Sequence, residues 1–184
     1  MSNAAPHLSR RLALSGLFTL GGLAAVGGLA GCGFRLRGSG VTLAFKSIEL
    51  RGSGSVAVVQ QLQDQLRASG VAVVEPKPMA QGAPAVVPDV VLTLLQDQRE
   101  RVVVGTAIAG QVRELQLRHT VRFHLRTSKG KELIEEATLQ QVRELSYSET
   151  QALAKEAEEA LLFDDMRSGV VRQIMTRLAA VRSL

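Results

Sequence analysis

The 184-residue chain has no tryptophan, one tyrosine, five phenylalanines, one cysteine and three histidines. Each shortage excludes something. A lone cysteine can neither close an internal disulfide nor supply a structural zinc site. Aromatic residues make up 3% of the chain and the net charge is only +5, so neither a base-stacking platform nor a strongly basic footprint exists. Nucleic acid is therefore not an expected partner. No Gly-x-Ser-x-Gly elbow is present, and Gly52-Ser53-Gly54 lacks the lysine of a phosphate cradle. Glu135-Glu136, Glu158-Glu159 and Asp164-Asp165 are adjacent carboxylates, which point in different directions on a strand or a helix and read as solvated charge. No catalytic residue, metal site or cofactor site is assigned, and an enzyme is not expected.

What the chain does have begins at its amino end. A basic pair, Arg10-Arg11, precedes an apolar run from Leu12 to Ala30, and the run closes on Leu29-Ala30-Gly31-Cys32. A charged start, an apolar middle and small residues before a cleavage site make a secretory signal. A permanent span needs about 20 predominantly apolar residues. This run is just long enough, but five glycines with Ser15 and Thr19 weaken it. Leu-Ala-Gly-Cys resembles the lipobox of bacterial lipoproteins. That resemblance implies removal of residues 1–31, lipid attachment at Cys32 and a single domain over residues 32–184. Two acyl chains would anchor such a domain stably where one would not. Ser9-Arg10-Arg11-Leu12 also resembles a twin-arginine export motif, although a plain basic start to a general secretory signal explains it as well. Gly33, rather than aspartate, after the cysteine points by the lipoprotein sorting rule to the outer membrane.

The remaining chain alternates strand and helix signals. Phe45–Leu50 reads as a strand, and Ser53-Gly54-Ser55 as a break with a helix cap. Val56, Val59, Leu62 and Leu66 then trace one face of a helix that stops at Gly70. Val71–Val74 is a short strand, and residues 75–89, with four prolines, form a loop. A β-rich block follows from Val90, turning at residues 105–110. In the next strand Leu115, Leu117, His119, Val121, Phe123 and Leu125 alternate with polar residues, so one face is apolar and the other basic. His119 on the apolar face reads as a satisfied core histidine. Thr127–Lys131 makes a hairpin turn, and the returning strand shows a phase shift that suggests a bulge near Gln140-Gln141. Ser148-Glu149-Thr150-Gln151 has the pattern of a capping box. It opens a long helix whose apolar face is traced by Leu153, Ala157, Ala160, Phe163, Val170, Ile174, Leu178 and Val181, with Gly169 a possible bend. The expected fold is α+β, with two helices packed on one face of a small, mostly antiparallel four-stranded sheet.

The feature above background is an arginine ladder, Arg118, Arg122 and Arg126, grouped with Arg99, Arg101 and Arg113. Guanidinium forks match phosphate and carboxylate, so such a surface would suit an anionic amphiphile such as a phosphorylated glycolipid. The competing reading is the solvent side of an amphipathic sheet, partly paired with Glu100, Glu114 or Glu144.

Cys32-Gly33-Phe34-Arg35-Leu36-Arg37-Gly38 resembles the mature start of the LptE family of lipopolysaccharide-assembly lipoproteins. The similarity extends through Phe45–Leu50, Leu66-Arg67-Ala68-Ser69-Gly70-Val71, Ala152-Leu153-Ala154-Lys155-Glu156 and Gln173-Ile174-Met175-Thr176-Arg177-Leu178. The resemblance implies a partner rather than a reaction: a plug within an LptD-type outer-membrane β-barrel that delivers lipopolysaccharide. It implies lipopolysaccharide contact through a basic residue that maps onto Lys155. A second such position precedes a turn that here reads Ile108-Ala109-Gly110, and it does not carry over. With the ladder, the lipopolysaccharide-binding candidates are Lys155, Arg118, Arg122 and Arg126. The polar face Gln116–Arg126 and the turn at 105–110 would suit a polar barrel lumen. The alternative is a free-standing lipoprotein that binds anionic lipid.

Overall fold

The computed structural model describes residues 42–75 and 87–184. The leader, Cys32, the motif that follows it and most of the proline-rich loop lie outside these residues. Five strands and two helices run in the order β1 (Ser47–Gly52), α1 (Val56–Ala68), β2 (Ala72–Val74), β3 (Val90–Thr106), β4 (Val112–Thr127), β5 (Glu132–Ser146) and α2 (Ala152–Ala180). The α+β class and the two helices match the expectation. The sheet does not: it is five-stranded and mixed, in the order β2-β1-β3-β4-β5. β1 pairs with β2 and with β3 in parallel, whereas β3, β4 and β5 are antiparallel. The reason is the crossover. A helix between β1 and β2 carries the chain back to its starting edge, which makes the next strand parallel.

Local chemistry sets the helix ends. Ser55 caps α1, its hydroxyl accepting the Val58 N–H at 3.4 Å. Val58, Leu62 and Leu66 are fully buried, while Val56, expected on the same face, is exposed. At the start of α2 the expected capping box is not made. Residues Glu149–Gln151 form a short 3-10 turn, and the Ser148 hydroxyl meets the Thr150 hydroxyl instead. α2 then runs without interruption past Gly169. A Cβ on Gly169 would stand 3.3 Å from the Gln141 side-chain amide nitrogen, so this glycine permits close packing of α2 on β5.

Two apolar clusters lie between the helices and the sheet. The larger joins α1, the carboxy-terminal half of α2 around Ile174, and the sheet around Val121, Phe123 and Leu139. The smaller holds Leu115, Leu117, Leu145, Phe163 and Met166. A polar waist separates them. On β4 the residue between Leu117 and Val121 that faces the helices is His119, and on β5 Gln141 and Arg143 stand between Leu139 and Leu145. At the same level Gln61 of α1 donates to Ser168 at 3.0 Å and accepts from Arg167 at 3.0 Å. The alternation of β5 thus does not change phase at Gln140-Gln141. Its two register shifts lie nearer the turn, between Ala137 and Ile134 and between Ile134 and Glu132, and the first leaves Glu135-Glu136 as a bulge.

Candidate functional site

The helices cover one face of the sheet, and the described chain leaves the other face open. Register decides which side chains stand there. In β3 the two ladder segments are offset between Leu94 and Gln96, so that Leu92 and Leu94 face the helices before the shift and Asp97 faces them after it. Gln96, Gln98 and Glu100 therefore stand on the open face, opposite Arg122, Thr120 and Arg118. β5 adds Thr138, Gln140 and Glu144.

Most of these groups bond to one another, although Arg122 Nε is buried without a partner among the described residues. Gln96 donates to Gln98, and Gln98 donates to Glu100 at 2.7 Å. Arg118 Nε donates to Gln116 at 2.7 Å, Arg122 pairs with Glu136 at 2.8 Å and Arg126 with Glu132 at 3.1 Å. Gln140 donates to the Thr120 hydroxyl at 3.3 Å. On β1, Arg51 holds the nearly buried Glu49 at 2.7 Å, and that ion pair and hydrogen bond raise the Arg51 pKa. The result is a broad, mostly polar face on which Arg51, Arg122 and Arg126 are paired with glutamates and Arg118 with a neutral glutamine. Exposed ion pairs of this kind contribute only about 0–1 kcal/mol each. An incoming anion could therefore exchange with either glutamate at little cost.

The ladder Arg118, Arg122, Arg126 is as expected on one face. Its grouping with Arg99 and Arg101 is corrected. These two are the cross-strand partners of His119 and Leu117, and they face the helices. There Arg99 stacks 5.5 Å over the Phe163 ring and Arg101 pairs with Glu159 at 3.2 Å. Arg113 is exposed near the β3–β4 turn. The glutamates that pair the ladder are Glu132 and Glu136 rather than Glu100, Glu114 or Glu144. The bulge supplies Glu136, and no sequence pattern reports its position.

Lys155 is not part of this surface. It lies on α2, on the opposite side of the sheet, where its ammonium donates to Ser146 at 3.1 Å and Glu158 at 2.9 Å, and its side chain is 15% exposed. The lipopolysaccharide-binding candidates are thus split between two faces, and the structure does not bring them together. Cys32 lies outside the described residues.

The buried polar pair lies apart from both. His119 Nε2 and Asp97 Oδ1 are 2.7 Å apart, with side chains 0% and 2% exposed. An ionised carboxylate only accepts, so the imidazole Nε2 carries the hydrogen. The other Asp97 oxygen accepts the Ser55 N–H at 2.7 Å. Burial pushes the Asp97 carboxyl up, but the hydrogen bonds from His119 and Ser55 outweigh it and hold its pKa at about 2. This is a core histidine with a structural partner at Nε2, as the sequence suggested, but it is not fully satisfied, because its Nδ1 is buried without a hydrogen-bond partner among the described residues. Among the described residues no cluster of three or more His, Cys, Asp or Glu side chains could hold a metal ion, and no helix is long and apolar enough to cross a membrane.

Residues 45–178 match the family model described as LptE, lipopolysaccharide-assembly. The chain belongs to the LptE family. The domain is similar to lipoprotein B from Nitrosomonas europaea, at 26% identity and a TM-score of 0.64 over 80% of this chain and 91% of that one. It shares its fold with rare lipoprotein B from Shewanella oneidensis (24% identity, 73% and 94% covered, TM-score 0.58). It also shares it with a minor lipoprotein from Acinetobacter baumannii (22% identity, 77% and 96% covered, TM-score 0.59). No curated protein matches the chain. In this LptE-family chain the open sheet face is the broad surface that the described residues leave without a second layer.

Proposed function

We propose that this LptE-family protein is lipid-anchored at Cys32 to the outer membrane. There it seats its open sheet face against the lumen wall of an LptD-type β-barrel, as a plug and assembly partner in lipopolysaccharide insertion. The observation that carries this is the character of that face. It spans three long strands and is mostly polar, with Val91, Val102 and Val142 among its few apolar residues, and Arg122 and Arg126 are paired with glutamates of the chain itself. Porin-like lumens are polar, and a face whose ion pairs at Arg122 and Arg126 are made within the chain can meet such a wall with those charges already compensated. The test is recovery of the barrel with a tagged full-length copy from native envelopes. Wild type should bring down a large β-barrel protein, and Arg118→Glu with Arg122→Glu should lower recovery roughly tenfold, the effect of about 1.4 kcal/mol. Recovery of no barrel protein by wild type would sink the reading.

The anchor has its own test. Cys32→Ala should leave an uncleaved precursor on a denaturing gel, without acyl-chain label. Normal processing would refute the lipobox.

A direct contact with lipopolysaccharide is a second part of the proposal, favoured by one observation. Arg118 has a neutral partner, Gln116, where Arg122 and Arg126 have glutamates. Arg118 is then the first ladder position for a phosphate, and Lys155, on the far side, would make a separate contact.

A further inference from the structure

Charge changes sign along α2. Residues 149–165 carry six carboxylates and one lysine, whereas residues 166–184 carry four arginines and no carboxylate. The helix lies antiparallel to β5: Lys155 meets Ser146, Asp165 meets Arg143, and Gly169 packs on Gln141. Its basic half therefore runs toward the β4–β5 turn, and its acidic half lies at the far end of strands 15 to 17 residues long.

The β4–β5 turn belongs to one end of the sheet. β1 and β3 begin there and β4 ends there. Three connections are bonded together at this end. The Ser128 hydroxyl donates to the Pro88 carbonyl at 2.6 Å, and the Asp89 carboxylate accepts the backbone N–H of Lys46 at 2.8 Å and of Ser47 at 3.0 Å. Lys46, Lys129 and Lys131 are thereby gathered on one end. All three are exposed, and none makes an ion pair among the described residues. Arg177 and Arg182, at the end of α2 and just after it, are exposed and unpaired in the same sense. Of the carboxylates nearby, Asp89 is held by the two backbone N–H groups and Glu132 by Arg126, which leaves Glu135.

No side chain outside the described residues can neutralise this end. All 17 aspartates and glutamates lie within the described residues. Residues 1–41 and 76–86 hold none, and they add cations, Arg35, Arg37 and Lys77 among them. The counter-charge comes from another molecule. Connectivity selects it. The described chain opens at Thr42, four residues before Lys46, and Leu43 packs against the larger core cluster. Cys32 stands ten residues before Thr42, a reach of about 35 Å at full extension. An acyl group on Cys32 thus keeps the basic end within one short tether of a bilayer.

We propose that the end of the domain bearing Lys46, Lys129 and Lys131 rests on anionic phospholipid headgroups of the leaflet that receives the Cys32 acyl chains. The ammonium groups meet headgroup phosphates, with Arg177 and Arg182 beside them. The strands then stand upright on the membrane, with the acidic half of α2 held away from it. This inference rests on the Cys32 anchor proposed above and is independent of the barrel partner.

The test uses the full-length protein, purified from membranes and placed in vesicles of phosphatidylcholine alone or with about one-third phosphatidylglycerol. Cys32 is the only cysteine. With its thiol acylated, Thr42→Cys, or Ala109→Cys at the opposite turn, takes a single dye, and both positions are exposed. Lipids spin-labelled at the headgroup quench the dye by proximity. At Thr42→Cys, quenching should be roughly threefold stronger with phosphatidylglycerol than without it, and at Ala109→Cys it should be weak on both. Combining Lys46→Gln, Lys129→Gln and Lys131→Gln should return quenching to the phosphatidylcholine level. So should about 1 M salt, where the screening length is about 3 Å. An unchanged circular dichroism spectrum separates lost contact from lost folding. The mass of the purified protein counts the acyl chains, and their absence would refute the anchor and this proposal with it. With the chains present, equal quenching on the two vesicles, or quenching indifferent to the substitutions or to salt, would overturn this proposal alone.

Discussion

Replacing Asp97 by alanine is expected to destabilise the domain by about 3–5 kcal/mol, the cost of breaking a buried pair from one side. Its carboxylate joins three elements. It stands on β3, accepts from His119 on β4 at 2.7 Å and accepts the Ser55 N–H at the start of α1, also at 2.7 Å. Alanine would leave the buried imidazole and that N–H without partners, and each orphaned group costs about 1–3 kcal/mol. Domains of this size hold only about 5–15 kcal/mol in total, so the variant should sit close to the unfolding threshold. Urea titration followed by circular dichroism measures it. A loss below about 1 kcal/mol would show that the pair does not hold α1 to the sheet.

The same pair sets a pH dependence. The folded-state pKa of Asp97 is held at about 2, below the ordinary 3.8. A depressed carboxylate contributes stability that is fully present above its unfolded value and lost as the pH falls through the folded one. Asp97→Asn, which cannot ionise, should therefore differ most from wild type at pH 5 to 7. The gap should narrow as the pH falls from 3.8 through about 2. A gap that stays constant over that range would refute the assignment. Replacing Asp97 and His119 together by apolar residues should cost less than Asp97→Ala alone, because it leaves fewer orphaned groups.

Gly52→Ala should be as severe. Gly52 ends β1 at φ +100, and a Cβ there would lie 2.0 Å from the Leu94 carbonyl oxygen. That oxygen accepts the Ser53 N–H at 2.8 Å. Alanine must therefore leave a conformation costing about 1–3 kcal/mol for a residue with a side chain, and also push β1 away from β3. A combined loss of about 3 kcal/mol or more is expected. It should appear as a lower thermal midpoint and faster amide exchange in β1 and at the start of α1. A variant as stable as wild type would mean that β1 and β3 can separate freely at this point.

Much of the fold could be read from residue order because it depends on local periodicity. The strict alternation from Leu115 to Leu125 places six side chains on the buried face of β4, His119 included, and the structure agrees at each. α1 lies where Ser55 and the apolar spacing put it. The mixed sheet was not legible, because strand direction depends on how far a crossover carries the chain. The ladder was legible only in β4. One register shift near Leu95 turns Asp97, Arg99 and Arg101 toward the helices, and the bulge at Glu135-Glu136 brings Glu136 to Arg122. A single inserted residue exchanges the faces of everything beyond it, and nothing in composition marks the insertion.

α2 shows the same division. Its helical character follows from alanine, leucine and glutamate, but whether Leu153 is core or surface depends on what packs against it. The sequence by itself determined the apolar and polar faces of β4, the helical segments, the lipobox-like Leu29–Cys32 and the family resemblance, since each rests on neighbouring residues. Only the tertiary structure decided which arginines share a face, that Lys155 stands on the other one, and that Leu153 is exposed among the described residues. Those are relations between segments distant along the chain, fixed by strand register and by packing.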